Sequence, residues 1–344
     1  MTDEPLPPDD ESPETSEPGK SPKHERRRNR RLLFGVLIVL LALLLGGAGI
    51  AIYYGSSTLS ALNEVQRDPS MMPSGTRPPS VEPSGDAEAP INIVLMGSDT
   101  RGDEQGRSDV LQLLHISGDR QNVYLMSIPR DSYVSIPGHG MAKVNAAYSW
   151  GGAPLAVETM EGMLGVPMDH TAIIDFEGFV KVIDAVGGVT VYNKEASSTS
   201  SYDFPAGEIT LTGDSALAYV RERYDLSGGD FSRAERQRDV IKAVLSKLTS
   251  TGVLTDPGKF KEAIGVLGTN FTVDSGLTND AIFDLGWSMR DIRGDDINSF
   301  QLPTSGVSTT EDGQSIVLVD GDKLLELQKA LRGDEMATFY ESLG

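Results

Sequence analysis

Arginines and aspartates recur in this chain where apolar runs end or a helical pattern begins. Ile91–Met96 runs into Gly97-Ser-Asp-Thr-Arg101, and Arg107-Ser-Asp109 opens the next apolar run. Val123–Ile128 runs into Pro129-Arg-Asp131, and later come Arg221-Glu-Arg223 and Arg233-Ala-Glu-Arg-Gln237. A guanidinium is a planar fork that matches phosphate oxygens two at a time, and paired carboxylates suit a hard divalent cation. Together they point to a site for a phosphorylated substrate, a diphosphate, with Mg²⁺ or Mn²⁺ at Asp99 and Asp109.

Each residue also has a plainer reading. Aspartates at 99 and 109 flank a Gly-rich, charged loop and could simply serve turns, but apolar strands on both sides fix that loop at a sheet edge, where α/β proteins place ligands. Arg107 and Arg130 each precede a carboxylate, so structural ion pairing competes with substrate binding. If Ala218-Tyr-Val continues as a strand through Arg221-Glu-Arg223, both arginines share one face and repel unless an anion lies between them. Asp230-Phe-Ser-Arg-Ala-Glu-Arg-Gln237 reads as a helix start, with Ser232 and Glu235 as a capping box and Arg233, Arg236 and Gln237 on one face. Helix starts favour anions, so cations there suit a bound phosphate. Arg238 reads as solvated. In Lys143-Val-Asn145, the lysine suits a phosphate or an acceptor and the asparagine a cap. The histidines show no metal-ligand spacing, and no Walker, G-x-S-x-G or H-E-x-x-H motif occurs.

The elements that must position these residues follow from periodicity. Strands are expected at Ile91–Met96, Val110–Ile116, Val123–Ile128, Ala172–Asp175, Val189–Val191 and Ala218–Arg221, with a late edge strand at Ser315–Val319. Helices are expected at Pro154–Leu164, Phe176–Val186, Arg233–Leu248, Lys259–Leu267, Asp280–Met289 and Asp322–Leu331. Fully apolar strands are buried on both faces, and interleaved helices then imply a three-layer α/β/α domain with a mixed central sheet. The apolar faces of Pro154–Leu164 and Phe176–Val186 suit ordinary core or the lining of a lipid tunnel.

Residues 1–31 form a Pro- and acid-rich tail ending in a basic collar, Lys23 to Arg31, and are read as a disordered cytoplasmic segment. Leu32 to Tyr54 carries no charge and is long enough to span a bilayer core of about 30 Å. The collar precedes the span, so the N-terminus is expected in the cytoplasm and the rest outside, on an uncleaved single-pass anchor in the lipid bilayer. Residues 55–90 are rich in Ser, Pro and Gly and read as a linker. The folded domain is expected over 91–344, with its core motifs in 91–250. There are no cysteines, which excludes disulfides and thiolate metal sites. Beyond Tyr54, 42 acidic residues stand against 23 basic ones, which speaks against a nucleic-acid binder.

The ordered set of motifs resembles the LytR–CpsA–Psr family of cell-wall glycopolymer ligases. The resemblance rests on the Gly97, Arg107, Ser127–Asp131, Lys143–Tyr148 and Asp175–Phe179 segments, and continues through Asp184–Gly188, Ala218–Arg223 and Asp230–Gln237. It implies a Mg²⁺-dependent phosphotransferase whose donor is a polyprenyl-diphosphate-linked glycan and whose acceptor is a peptidoglycan hydroxyl. It implies metal ligands at Asp99 and Asp109, and diphosphate ligands at Arg107, Arg130, Arg221, Arg223, Arg233 and Gln237. Asp131 either orients Arg130 or accepts the acceptor's proton. Acidic composition and an Asp-rich tail suggest an actinobacterial source, with arabinogalactan or a similar polymer as donor. A hydrolase using water as acceptor, a membrane-bound regulator and a lipid-phosphate binder are the competing readings.

Overall fold

The computed structural model describes residues 63, 65–83, 87–98, 108–249, 265 and 268–344. The chain divides into two compact units, Met1–Gly55 and Ser56–Gly344, and the described residues all fall in the second. Among them no helix is long and apolar enough to cross a membrane; Leu32 to Tyr54 lies outside the described residues.

The second unit is a mixed α/β domain built on a seven-stranded sheet. In chain order its strands are β1 (Gln66–Asp68), β2 (Ile91–Ser98), β3 (Ser108–Ile116), β4 (Val123–Ser127), β5 (His170–Asp175), β6 (Phe271–Asp274) and β7 (Ile297–Gln301). Across the sheet they run β1-β6-β5-β2-β3-β4-β7. The β1–β6, β5–β2 and β4–β7 pairs are parallel and the other three antiparallel. The helices are α1 (Val144–Leu164), α2 (Phe176–Ala185), α3 (Gly213–Arg221), α4 (Asp230–Leu248), α5 (Asn279–Ser288), α6 (Gly321–Gly333) and α7 (Met336–Glu341).

Alternation along the central strands sorts their side chains onto two apolar faces. Val94, Met96, Leu113 and Met126 pack with Val157 and Met160 of α1 and with Leu327 and Leu331 of α6. Ile93, Leu114, Val123 and Leu125 pack on the other side with Ile241 and Leu245 of α4 and Leu285 of α5. Burial on both faces explains why these strands read as continuous apolar runs. Of the two readings for the apolar faces of α1 and α2, ordinary core is the one their packing fits: Ala156, Val157, Met160 and Ile183 are all fully buried.

Several expectations change. Gln66–Asp68, inside the segment read as a linker, pairs with β6 as an edge strand. Nearby, Arg77 donates through Nε to Glu161 Oε1 at 2.9 Å. Val189–Asn193 pairs antiparallel with Gly207–Leu211, and Ser315–Val319 forms a hairpin with Thr304–Thr309; neither pair belongs to the main sheet. The segment Ala218–Arg221 is helical, not a strand. Ala216, Tyr219 and Val220 are buried at helical spacing, and the Asp184 carboxylate accepts from the Gly213 N–H at 2.8 Å, satisfying a donor of the first turn. Helix α1 begins ten residues before Pro154; Gly152, at φ 65°, breaks its direction and makes room for the proline. Lys259–Leu267 falls almost wholly outside the described residues.

One sheet edge collects the ends that matter. Ser98 ending β2 is paired with Asp175 ending β5, and Ser127 ending β4 with Gln301 ending β7. The antiparallel β3 brings its start, Ser108, opposite Ser98. The motif loops therefore leave the sheet on the same side.

Candidate functional site

The chain leaves β4 through Ile128-Pro129 into Arg130 and Asp131, and backbone hydrogen bonds hold this turn from both sides. Asn145 N–H donates to Arg130 O at 3.2 Å, Val144 N–H to Ser132 O at 2.8 Å, and Val317 N–H to Asp131 O at 2.9 Å. The turn is thus clamped between the start of α1 and the Ser315–Val319 strand, which fixes where both side chains leave the backbone.

Arg130, Arg223 and Arg233 converge on one carboxylate, Asp230. Arg130 reaches Asp230 Oδ2 through Nε at 3.0 Å and Nη2 at 2.9 Å. Arg233 Nη2 lies 3.4 Å from the same oxygen and Arg223 Nη1 3.5 Å from Oδ1. Asp230 is the first residue of α4, so the positive end of the helix dipole adds to the field there. Three guanidiniums gathered around one carboxylate at a helix start make this the candidate anion site. Asp131 stands beside it, 3.1 Å from Lys143 Nζ and 4.0 Å from Arg130 Nε.

The remaining candidates are placed differently. Arg221 ends α3 and lies with its guanidinium carbon 4.5 Å above the Phe176 ring rather than on Asp230. The shared strand face expected for Arg221 and Arg223 does not form, because α3 ends at Arg221 and Arg223 follows in a turn capped by Glu222. Gln237 Nε2 donates to Val220 O at 3.3 Å, tying α4 to α3. Asp99 and Arg107 lie outside the described residues, and for Asp109 only the backbone is described, within β3. Among the described residues no cluster of three or more metal-ligating side chains occurs.

The expected capping box at Ser232 and Glu235 does not form. The helix starts three residues earlier, its N-cap is Gly229 at φ 52°, and no side chain caps it. Nor do Arg233, Arg236 and Gln237 act together. Arg236 donates to Asn193 Oδ1 at 3.0 Å and Glu195 O at 2.9 Å, and covers the Tyr219 ring. Arg238, read as solvated, is only 8% exposed and donates to Ser127 Oγ; desolvation by burial lowers its pKa. Asn145 does not cap α1, whose N-cap is Lys143. Asp175 does cap α2, accepting from Gly178 N–H at 2.7 Å, a structural role.

Two residues of the site escaped the sequence reading. Asp230 was seen only as a helix start, although an acid three residues before an arginine in a basic stretch is a pairing signal. Gln112 looked like part of an apolar strand. It is 1% exposed, its amide has no hydrogen-bond partner among the described residues, and it lines a small cavity with Ser127, Arg130, Asp230, Arg233 and Gln237. A buried amide left unpaired at such a place is costly unless a ligand or water completes it.

Known proteins share this arrangement of elements. The LytR_cpsA_psr family model matches residues 52–333. A Bacillus cereus protein named polyisoprenyl-teichoic acid–peptidoglycan teichoic acid transferase TagU is 37% identical over 265 residues, 76% of this chain and 84% of that protein. The crystal structure of Bacillus subtilis TagV superposes with a TM-score of 0.63 at 26% identity, covering 73% of this chain and 99% of that one. A structure of TagT bound to LIIa-WTA superposes with a TM-score of 0.60 at 27% identity, covering 77% and 98%.

Proposed function

The chain belongs to the LytR–CpsA–Psr family, and from that premise we propose that it is a phosphotransferase of cell-wall assembly. It moves a glycan from a polyprenyl-diphosphate carrier onto a hydroxyl of peptidoglycan. The observation that carries this reading is the convergence of Arg130, Arg223 and Arg233 on Asp230 at the start of α4. The relatives' teichoic acid is the model for the donor polymer; the polyprenyl diphosphate is the part the arginines would read.

In this reading Arg130, Arg223 and Arg233 take the diphosphate, and Arg107 and Arg221 complete the ring of donors. Forked guanidiniums fixed before the reaction stabilise charge spreading over phosphoryl oxygens without reorganising. Gln237 holds α3 and α4 together so that Arg223 and Arg233 keep their spacing. The acceptor oxygen bonds to the phosphorus that carries the glycan, the bond to the polyprenyl phosphate breaks, and Asp131 takes the hydroxyl proton. Asp99 and Asp109 would hold Mg²⁺. The pairing of Ser98 with Ser108 supports the fit, since the backbone positions next to both aspartates lie opposite each other at the sheet edge and carboxylate oxygens suit this ion. Bound there, Mg²⁺ supplies charge neutralisation at the phosphates.

We also read the domain as a three-layer α/β/α unit held outside the cell by the span at residues 32–54. The test of function is transfer with purified components: full-length protein in detergent, a polyprenyl-diphosphate glycan and uncrosslinked peptidoglycan. Glycan on peptidoglycan, with a loss of about 10²-fold or more in kcat for Asp131→Asn, is the expected result. Release of free glycan phosphate alone, equal in both proteins, would show a hydrolase without this base.

A further inference from the structure

Beside the arginine cluster the surface opens into a groove of about 1240 Å³. Its walls are the Tyr133–Lys143 hairpin, the first turns of α1 and the tip of the hairpin joining Thr304–Thr309 to Ser315–Val319. Resting on the function above, we propose that this groove seats the acceptor, a peptidoglycan glycan strand, with Trp150 as the ring against which a sugar packs.

Position comes first. Arg130 and Asp131 line both this groove and the small cavity shared with Arg233 and Gln237. A hydroxyl presented from the groove therefore meets Asp131 at the border with the diphosphate site. Lining chemistry comes second. Trp150 is 49% exposed and Met141 54%, so both present apolar surface to the groove, and His139 backs the Trp150 ring at 4.8 Å between centroids. An aromatic body beside polar groups suits a pyranose, whose C–H face is apolar and whose edge carries hydroxyls. The hairpin tip is preorganised: Gln314 Nε2 donates to Asp312 Oδ2 at 2.6 Å, and Thr310 N–H to Gln314 O at 2.9 Å.

Size and charge decide the occupant. The volume exceeds the 300–1000 Å³ of most single small-molecule sites, so more than one sugar ring fits. Glu311 and Asp312 line the groove, and Lys143 is already paired with Asp131. Such a wall disfavours a teichoic acid, with a phosphate in every repeat, and better accepts the N-acetylated amino-sugar rings of a peptidoglycan strand, which carry no phosphate.

The chain has two tryptophans, so full-length Trp287→Phe protein in detergent leaves Trp150 as its sole indole emitter. Titration with a peptidoglycan-backbone tetrasaccharide should give a saturable blue shift, at least tenfold weaker in apparent affinity when Asp312→Ala is added. In transfer assays Trp150→Ala should raise the acceptor KM at least tenfold, and Trp150→Phe should restore most of it. No saturable response to the tetrasaccharide, or an equal or tighter response to a glycerol-phosphate teichoic oligomer, would overturn the proposal. Calorimetry of the same protein with inorganic pyrophosphate separates the two readings. Pyrophosphate binding without a glycan response removes the groove alone, whereas absent pyrophosphate binding removes the function it rests on.

Discussion

At Asp230 one carboxylate gathers the guanidiniums of Arg130, Arg223 and Arg233, three forks whose geometry also matches phosphate oxygens. Arg130 makes the closest approach, with two nitrogens on one oxygen, and its backbone is pinned by Asn145 N–H. A lysine at 130 keeps the charge but loses the fork. Arg130→Lys should therefore cut kcat/KM for transfer by roughly 10- to 100-fold, the worth of one charge-assisted contact of about 1.5–3 kcal/mol. Melting temperature should move little, since the side chain is partly exposed. Full activity in this variant, measured at equal folding, would reduce Arg130 to a structural partner of Asp230.

The elements divide into those that carry the site and those that brace it. The brace most hidden from the sequence is the Gln66–Arg77 region, which adds β1 to the sheet and reaches Glu161, a carboxylate 2% exposed. Removing Arg77 leaves that buried charge unpaired. Arg77→Met should cost about 3 kcal/mol, the low end for a broken buried pair because Arg77 is itself about a third exposed, read as a fall in urea midpoint. A second brace sits where β6 meets β5. Burial pushes the Asp274 carboxyl up, but His170, the Thr171 N–H and the Gly276 N–H outweigh it and hold it below the usual aspartate value. A depressed carboxyl stabilises the fold above the unfolded pKa of about 3.9, and that contribution is lost as pH falls through the folded value. Urea midpoints of the wild type should drop steeply below about pH 4, and Asp274→Asn should flatten that drop. The strands β2, β3 and β4 were legible because burial on both faces leaves continuous apolar runs, and the helices at Phe176 and Asn279 because one packed face leaves apolar residues at helical spacing. β1, β6 and β7 are short strands of mixed polarity, set by partners more than two hundred residues away or by edge pairing, which no local pattern reveals. Arg221 was misread because alternation and helical spacing look alike over four residues; Ala216 three residues before Tyr219 was the clue. The arginines announced an anion, but that three of them meet on Asp230 depends on how α3 and α4 pack, which is tertiary information.

At the scale of the whole molecule, an acidic domain gathers Arg130, Arg223 and Arg233 around one carboxylate, and a basic collar at residues 23–31 precedes an uncharged run at residues 32–54. A lipid-linked donor requires that cluster to face the outer leaflet. Protease added to intact protoplasts should remove everything beyond Gly55 and leave the collar protected; protection of the domain would place it on the wrong side of the membrane for peptidoglycan. The most direct measurement is a crystal structure of the domain soaked with a short-chain prenyl diphosphate and Mg²⁺. Diphosphate oxygens should lie within hydrogen-bond distance of Arg130, Arg223 and Arg233, with the metal between them and Asp99 and Asp109. A diphosphate bound elsewhere, with the three arginines still closed on Asp230, would contradict the assignment.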